Sequence, residues 1–159
     1  MKAALNGALT IGTLDGANVE ISEEVGPENI FIFGHTKDEV EALRASGYSP
    51  ETFLSQSEEL RRAIDVISNG SLDGGSGLFR PIVDALLGED RYLLCADFAS
   101  YAACQRRVAA EYARPDEWWR KSILNVAGMG KFSSDRTTKE YADEIWNAKP
   151  VPVSLEGPG

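Results

Sequence analysis

Short apolar runs alternate with polar, glycine-marked segments along the front of the chain. Residues 8–13 (ALTIGT) and 29–34 (NIFIFG) are apolar or β-branched and show no polar alternation. Such runs are typical of strands that are covered on both faces, as in a parallel sheet. Asp15 and Gly16 mark a turn between the runs, and Gly26 ends a polar segment that we interpret as a helix. The pattern therefore predicts a strand, a helix and a second strand.

The same alternation continues beyond the second run. Thr36 is a suitable N-cap for a helix that Gly47 would end. Residues 91–98 (RYLLCADF) form a third apolar run, which we interpret as a strand, and residues 99–113 have the pattern of a helix. Strands that alternate with helices indicate an α/β fold with a parallel sheet. Because three strands are few for a free-standing sheet of this kind, we expect part of a domain.

Apolar positions at helical spacing dominate the back of the chain. Pro115 is placed to start a helix, and Thr137 with Glu140 fits a capping box before a last helix. The segment between residues 68 and 77 is rich in glycine and serine and is predicted to be a surface loop. The helical repeats fall at Leu60, Ile64 and Ile67, at Phe79, Ile82, Val83 and Leu86, and at Trp119, Ile123 and Val126.

Composition and charge narrow the class of protein. The 159 residues are 43% hydrophobic and 26% charged, as in a globular protein, and the formal net charge is −9. That charge disfavours nucleic acids and anionic membranes as partners. Two cysteines, Cys95 and Cys104, are too few for a disulfide framework, and we expect both to be reduced core thiols. Since no signal peptide or membrane span is visible, the expected location is the cytoplasm.

Glycine spacing and a single histidine are the first candidates for chemistry. Gly7, Gly12 and Gly16 could surround a phosphate, but their spacing differs from G-x-G-x-x-G, and tight turns around a strand explain them better. A nucleotide-binding α/β protein therefore stays an alternative supported by these glycines alone. His35 follows the second strand, where α/β sheets place ligands. Without a visible partner carboxylate, we interpret it as a surface-turn histidine.

Three other features each have a structural and a functional interpretation. Residues 131–137 (KFSSDRT) combine hydroxyls and cations that could bind an anion, although helix capping explains the hydroxyls and the acid. Asp97 could be catalytic at the end of its predicted strand, but capping of the following helix is the preferred interpretation. Lys2, taken alone, is a solvated lysine near the N-terminus. The residue types give no carboxylate pair, zinc ligand set or nucleophile triad.

Two long stretches carry a specific resemblance. Residues 1–36 (MKAALNGALTIGTLDGANVEISEEVGPENIFIFGHT) and 93–146 (LLCADF…ADEIW) strongly resemble the C-terminal part of the α-glucan phosphorylases, the glycogen and maltodextrin phosphorylase family. The bacterial-type members are the most similar, because they share the form of NIFIFGHT. Residues 48–89 match loosely, and the last ten residues match nothing in the family.

The resemblance implies a role for Lys2. In the family, an Asn-Met-Lys motif carries the lysine that holds pyridoxal 5′-phosphate, and Met1-Lys2 matches its last two residues. The phosphate-binding segment before the motif and the N-terminal wall of the cleft would then lie outside these residues. The implied fold is the second half of the C-terminal domain of a glycosyltransferase-B architecture. Residues 1–112 would form a partial Rossmann-like α/β domain, 113–148 a C-terminal helical segment and 149–159 a disordered tail.

The implied activity is phosphorolysis of terminal α-1,4-glucosyl units to α-glucose 1-phosphate. The partners would be an α-1,4-glucan and inorganic phosphate, and a homo-oligomer is a further expected assembly. The family uses the cofactor's phosphate to exchange a proton with the substrate phosphate. Because most groups of the site would lie outside residues 1–159, we expect this chain to be inactive by itself. The alternative is a non-catalytic half-domain that binds or regulates complete subunits.

Overall fold

The computed structural model describes residues 1–152 and contains helices arranged around a small parallel sheet. Short 3₁₀ segments lie at Pro27–Asn29 and Met129–Phe132, and a π-helical turn covers Tyr141–Ile145. The strands are β1 (Ile11–Gly12) and β2 (Phe31–Ile32). The helices are α1 (Lys2–Leu5), α2 (Ala17–Val25), α3 (Lys37–Ala45), α4 (Pro50–Gln56), α5 (Glu58–Ser68), α6 (Arg80–Gly88), α7 (Leu94–Tyr112), α8 (Pro115–Gly128) and α9 (Ser134–Glu140).

The two strands are parallel, as the sequence predicts. Ile11 lies opposite Phe31 and Gly12 opposite Ile32, and α2 forms the connection between them. Hydrogen bonds from the Phe31 N–H to Thr10 O (2.9 Å) and from the Phe33 N–H to Gly12 O (3.1 Å) complete the ladder. The α/β class is thus confirmed, with strands shorter than the apolar runs that contain them.

The predicted third strand over residues 91–98 is wrong. Helix α7 begins at Leu94, so most of this run is helical, and the helix predicted over residues 99–113 is the rest of α7. An apolar run of this length fits a buried helix as well as a strand. The Asp90 carboxylate decides between them, because it accepts hydrogen bonds from the N–H groups of Leu94 and Cys95 at 2.8 Å each. Those donors belong to the first turn of a helix and are satisfied there.

The predicted N-cap Thr36 is confirmed, and the capping box predicted for Thr137 and Glu140 is wrong. Thr36 caps α3, because its side chain accepts from the Glu39 N–H while the Glu39 carboxylate accepts from the Thr36 N–H. That backbone donor also lowers the pKa of Glu39. Thr137 lies inside α9, which has Ser133 as its N-cap. The Thr137 hydroxyl donates instead to Ser133 O at 3.2 Å.

Two apolar cores lie in different parts of the fold. The first packs α1, α2 and the 3₁₀ turn after α8 around the sheet, and the second packs α5, α6 and the start of α7. Burial of apolar side chains is the main source of stability in a domain of this size. The buried members of the first core are Ala4, Ile21, Val25, Ile30 and Met129, and those of the second are Leu60, Ile64, Val83 and Cys95.

Asn125 joins the sheet layer to α8. It is fully buried, and its side-chain Nδ2 donates to Asn29 O at 2.8 Å and to Lys121 O at 3.0 Å. Asn29, also buried, donates from its own Nδ2 to Val25 O at 2.7 Å. The bonds to Asn29 O and Val25 O satisfy carbonyl groups at the buried turn between α2 and β2. They therefore fix α8 against the turn that leads from α2 into β2.

The predicted apolar face of α8 is present, but it is solvent-exposed. Trp119 and Ile123 are 62% and 67% exposed, and Val126 is 42% exposed. Large apolar side chains in a row on one helix face usually mark a surface that contacts another protein segment. At the end of the chain, residues 149–152 have no regular structure, and the rest of the predicted tail lies outside the described residues. The division of the chain at residues 112 and 148 stays a prediction.

Replacing Asn125 tests the bond network that fixes α8. Asn125→Ala leaves the buried Asn29 carbonyl without its donor, so we expect the free energy of unfolding to fall by about 1–3 kcal/mol. Urea titration followed by circular dichroism measures the change. Ile123→Ala, on the exposed face of the same helix, is the control and should change stability by roughly 0.5 kcal/mol or less. Equal effects of the two variants would contradict the role of Asn125.

Candidate functional site

Lys2 lies at the start of α1 with an exposed side chain. It makes no side-chain hydrogen bond or ion pair with any other residue in the described range 1–152. The helix itself is held firmly, because Ala4 is 1% exposed in the first core and the Ser122 hydroxyl donates to Gly7 O at 2.7 Å. Asn6 Nδ2 closes the turn by donating to Lys2 O at 2.8 Å. The fold thus presents the Lys2 amine to solvent from a fixed backbone.

The three glycines of the possible phosphate loop occupy separate structural positions. Gly7 ends α1 with a φ of 85°, a conformation that favours glycine. Gly12 lies within β1, and Gly16 precedes α2 with a φ of 48°. Turns and a strand account for all three glycines, in agreement with the preferred interpretation of the sequence.

His35 and Asp97 meet at the carboxyl end of β2. The His35 Nδ1 lies 2.6 Å from Asp97 Oδ1, and the His35 backbone N–H donates to the same oxygen at 2.9 Å. One residue earlier, the Gly34 N–H donates to Ser100 Oγ at 3.0 Å. Because a carboxylate only accepts, Nδ1 carries the proton in this contact. The Asp97 side chain is 12% exposed and that of His35 29% exposed, so the pair is shielded on the carboxylate side.

Gly34 makes this close approach possible. Its φ is 82°, and a Cβ at this position would lie 2.8 Å from Asp97 Oδ2 and 3.0 Å from Thr13 Cγ2. A side chain at residue 34 would therefore collide with the carboxylate and require an unfavourable backbone conformation. The glycine at the end of the NIFIFG run lets the strand end and α7 come together.

Two predictions about this pair are corrected. His35 is not a partnerless turn histidine, and Asp97 does not follow a strand or cap a helix, since it lies within the first turn of α7. The two residues are 62 positions apart, and assigning residues 91–98 to a strand concealed the contact. A carboxylate on Nδ1 orients the imidazole and leaves Nε2 to accept or donate a proton. Lys2 makes no hydrogen bond to either residue among those described.

The cations of residues 131–137 are engaged in ion pairs. Lys131 pairs with the Glu24 carboxylate, which raises the pKa of Lys131, and Arg136 pairs with Glu140 at 3.1 Å. Ser133 occupies the N-cap position of α9 without a side-chain cap bond to the described residues. Because carboxylates already neutralise both cations, the segment is better suited to joining elements of the fold than to binding an anion.

Comparison with known proteins places these features in a family. The sequence model of the carbohydrate phosphorylase family matches residues 1–148. The chain belongs to the carbohydrate phosphorylase family. It is 54% identical over 157 residues to a glycogen phosphorylase of Synechocystis sp., 48% identical over 159 residues to the brain form of Bos taurus and 48% identical to the muscle form of Ovis aries. These matches cover 98–99% of this chain and 18–19% of each relative.

Asp90 organises a second polar cluster that the sequence pattern did not reveal. It is 2% exposed, and Oδ2 accepts from Cys95 N at 2.8 Å and from the Tyr48 hydroxyl at 2.5 Å. Desolvation, followed by the bond to Asp90, raises the pKa of Tyr48. Burial, followed by the charge of Asp90, raises the pKa of the Cys95 thiol to about 12. Both groups stay protonated and act as structural parts of this phosphorylase-family chain.

The structure bears on other predicted properties of the chain. Cys95 and Cys104 are buried and free, as predicted. Among residues 1–152 there is no group of three or more histidine, cysteine or acidic side chains that could bind a metal ion. Within the same range, every helix is too short or too polar to cross a bilayer.

The Cys95 thiol gives a pH dependence with a definite sign. Its pKa rises from 9.0 in the unfolded reference to about 12 in the fold, so the folded state needs the protonated thiol. This stabilisation is complete below pH 9 and is lost as the pH rises towards 12. Between pH 8 and 10 the free energy of unfolding should fall by about 1 kcal/mol more in the wild type than in Cys95→Ala.

Urea titrations at both pH values measure this difference. Cys104→Ala removes another buried thiol and reports the cost of lost packing at neutral pH. If the free energy of unfolding falls equally in the wild type and in Cys95→Ala, the Cys95 thiol has the same pKa in the folded and unfolded states and the prediction is wrong.

Proposed function

We propose that this chain supplies the cofactor-anchoring lysine and part of the C-terminal domain of an α-glucan phosphorylase. The activity is phosphorolysis of terminal α-1,4-glucosyl units to α-glucose 1-phosphate, with an α-1,4-glucan and inorganic phosphate as substrates. The observation that carries the proposal is the match of residues 1–148 to the family, with relatives named glycogen phosphorylases. The acidic net charge of −9 disfavours nucleic acids as partners.

The residues around Lys2 are compatible with pyridoxal 5′-phosphate attached at its Nζ. An amine that attaches an aldehyde must be accessible, and the Lys2 side chain is exposed and unengaged within residues 1–152. It must also start from a fixed position, which Ala4 in the core and the Ser122 bond to Gly7 O provide. When bound, the cofactor supplies a phosphate group that exchanges a proton with substrate phosphate.

The remaining work of this chain is positional. Helix α1 carries Lys2 as its first residue, and the contacts of Ala4 and Gly7 fix the backbone from which the amine extends. Catalysis requires the glucan and the phosphate to be held in a closed site. Because the chain spans 18–19% of the length of the relatives, we propose that those groups belong to a longer phosphorylase chain and that these residues alone are inactive.

Borohydride trapping tests the role of Lys2. After incubation with pyridoxal 5′-phosphate and reduction, peptide mass spectrometry should show saturable labelling at Lys2 above the exposed amine of Lys37. Lys2→Arg should abolish this labelling and leave the other sites unchanged, because arginine keeps the charge without the nucleophilic amine. Labelling that is uniform across the lysines and the Met1 α-amine would overturn the proposal.

A second function is favoured by the exposed face of α8. Trp119, Ile123 and Val126 form an apolar row that is at least 42% exposed at each position. Such a row suits a half-domain that associates with complete phosphorylase subunits or with itself. This candidate needs no cofactor at Lys2.

Sedimentation velocity distinguishes the second candidate. If the α8 face drives association, the wild type should show a concentration-dependent sedimentation coefficient that Trp119→Ser and Ile123→Ser abolish, since both remove exposed apolar area. Val151→Ser, at a residue that is 82% exposed outside the helices, is the control. A monomeric wild type at all concentrations would exclude self-association through this face.

A further inference from the structure

The connection between α6 and α7, residues 89–93, is a strained loop with an exposed aromatic tip; we name it the Tyr92 loop. Asp90 and Leu93 adopt φ values of 34° and 55°, in a region that side-chain-bearing residues seldom occupy. Tyr92, between them, is 71% exposed. Strained backbone persists only where surrounding contacts impose it, and it is concentrated at binding and catalytic sites.

Contacts on both sides fix the Tyr92 loop. The buried Asp90 carboxylate accepts hydrogen bonds from Leu94 N and from the Tyr48 hydroxyl. On the outer side, Arg44 Nη2 donates to Arg91 O at 2.7 Å. The tip is therefore held in place before any ligand arrives, and a preorganised surface loses less conformational entropy on binding.

Residues of the Tyr92 loop line two clefts. One, of about 420 Å³, is lined by Arg44, Glu89 and Arg91 among others. The other, of about 480 Å³, is lined by Tyr92 and Leu94 among others. Both volumes lie in the range of sites for small ligands, roughly 300–1,000 Å³. An extended ligand could cross the tip and occupy both clefts.

The Tyr92 ring has one occupied face. The guanidinium carbon of Arg91 lies over the ring, 5.7 Å from its centroid. This cation–π contact orients the ring. With 71% of the residue exposed, apolar ring surface remains available for stacking. The arrangement combines a flat apolar surface with charged hydrogen-bonding groups beside it.

This combination suits a neutral polyhydroxylated chain. Sugar rings have an apolar C–H face that stacks on an aromatic ring, and their hydroxyls both donate and accept hydrogen bonds. Arg91 supplies donors and Glu89 supplies acceptors in the cleft that Tyr92 also lines, and Arg44 supplies further donors in the other cleft. The carboxylates of Glu89 and Asp84 offset the guanidinium groups, so the clefts have no excess of positive charge that would select a phosphate or carboxylate ligand, and the net charge of −9 disfavours one further.

We propose that the Tyr92 loop is a glucan-binding surface that takes a stretch of α-linked glucose units across Tyr92. The substrate class rests on the proposed function, whereas the binding surface is separate from the amine of Lys2. The surface would hold the polymer without taking part in the reaction. Its affinity is expected to come from stacking on Tyr92 and from hydrogen bonds to Arg91 and Glu89.

Calorimetric titration of the full chain with maltoheptaose tests the proposal. Tyr92→Ala should weaken binding about tenfold, because it removes the stacking surface, and Tyr92→Phe should retain most of the affinity. Tyr112→Ala is the matched control, since Tyr112 is 68% exposed on a different part of the molecule. Retention of the wild-type melting temperature in each variant shows that the fold is intact.

The outcomes separate this inference from the proposed function. Absence of maltoheptaose binding, or equal loss in Tyr92→Ala and Tyr112→Ala, overturns the glucan surface even if Lys2 is labelled selectively by the cofactor. Binding of β-linked cellohexaose with the same Tyr92 dependence overturns the preference for α-linked glucose. Selective loss in Tyr92→Ala supports the surface even if cofactor labelling at Lys2 fails.

Discussion

The bond from Asn125 Nδ2 to Asn29 O is the interaction on which the front of the molecule depends. A two-stranded parallel sheet is too small to be stable by itself, so it needs helices packed against it. Asn125 attaches α8 to the sheet and also fixes the position of α8 along it. A buried amide must meet a particular carbonyl, whereas apolar contacts alone would allow the helix to shift. With α8 fixed in this way, Ser122 reaches Gly7 and holds α1 in place. The position of Lys2 is therefore decided more than 100 residues away in the chain.

Asp90 has the corresponding role in the helical part of the molecule. Its carboxylate satisfies the first N–H groups of α7 and the hydroxyl of Tyr48, and it does so from a backbone conformation that is unfavourable for aspartate. The same bonds that begin α7 fix the backbone of the loop that contains the exposed Tyr92. One buried acid thus starts a helix, links two parts of the chain and shapes a surface loop.

The chain belongs to the carbohydrate phosphorylase family, and several of its features are exposed to solvent. Lys2 is exposed, the α8 face is apolar and exposed, and the sheet has two strands among the described residues. Each of these features is suited to contact with further protein or with ligands. The His35 and Asp97 side chains, by contrast, are bonded to each other within the described residues. Their bonds join the end of β2 to α7.

Local features were predictable from the sequence for local reasons. The strand–helix–strand order, the Thr36 N-cap and the turn glycines depend on neighbouring residues, and the long motif containing Lys2 indicated the family. The run at residues 91–98 was not predictable, because its hydrophobicity suits a strand or a helix and the Asp90 bonds make the choice. The contacts of His35 with Asp97 and of Asn125 with Asn29 join residues 62 and 96 positions apart. Sequence patterns report the partners within a turn or two, and such distant pairs are decided when the elements pack.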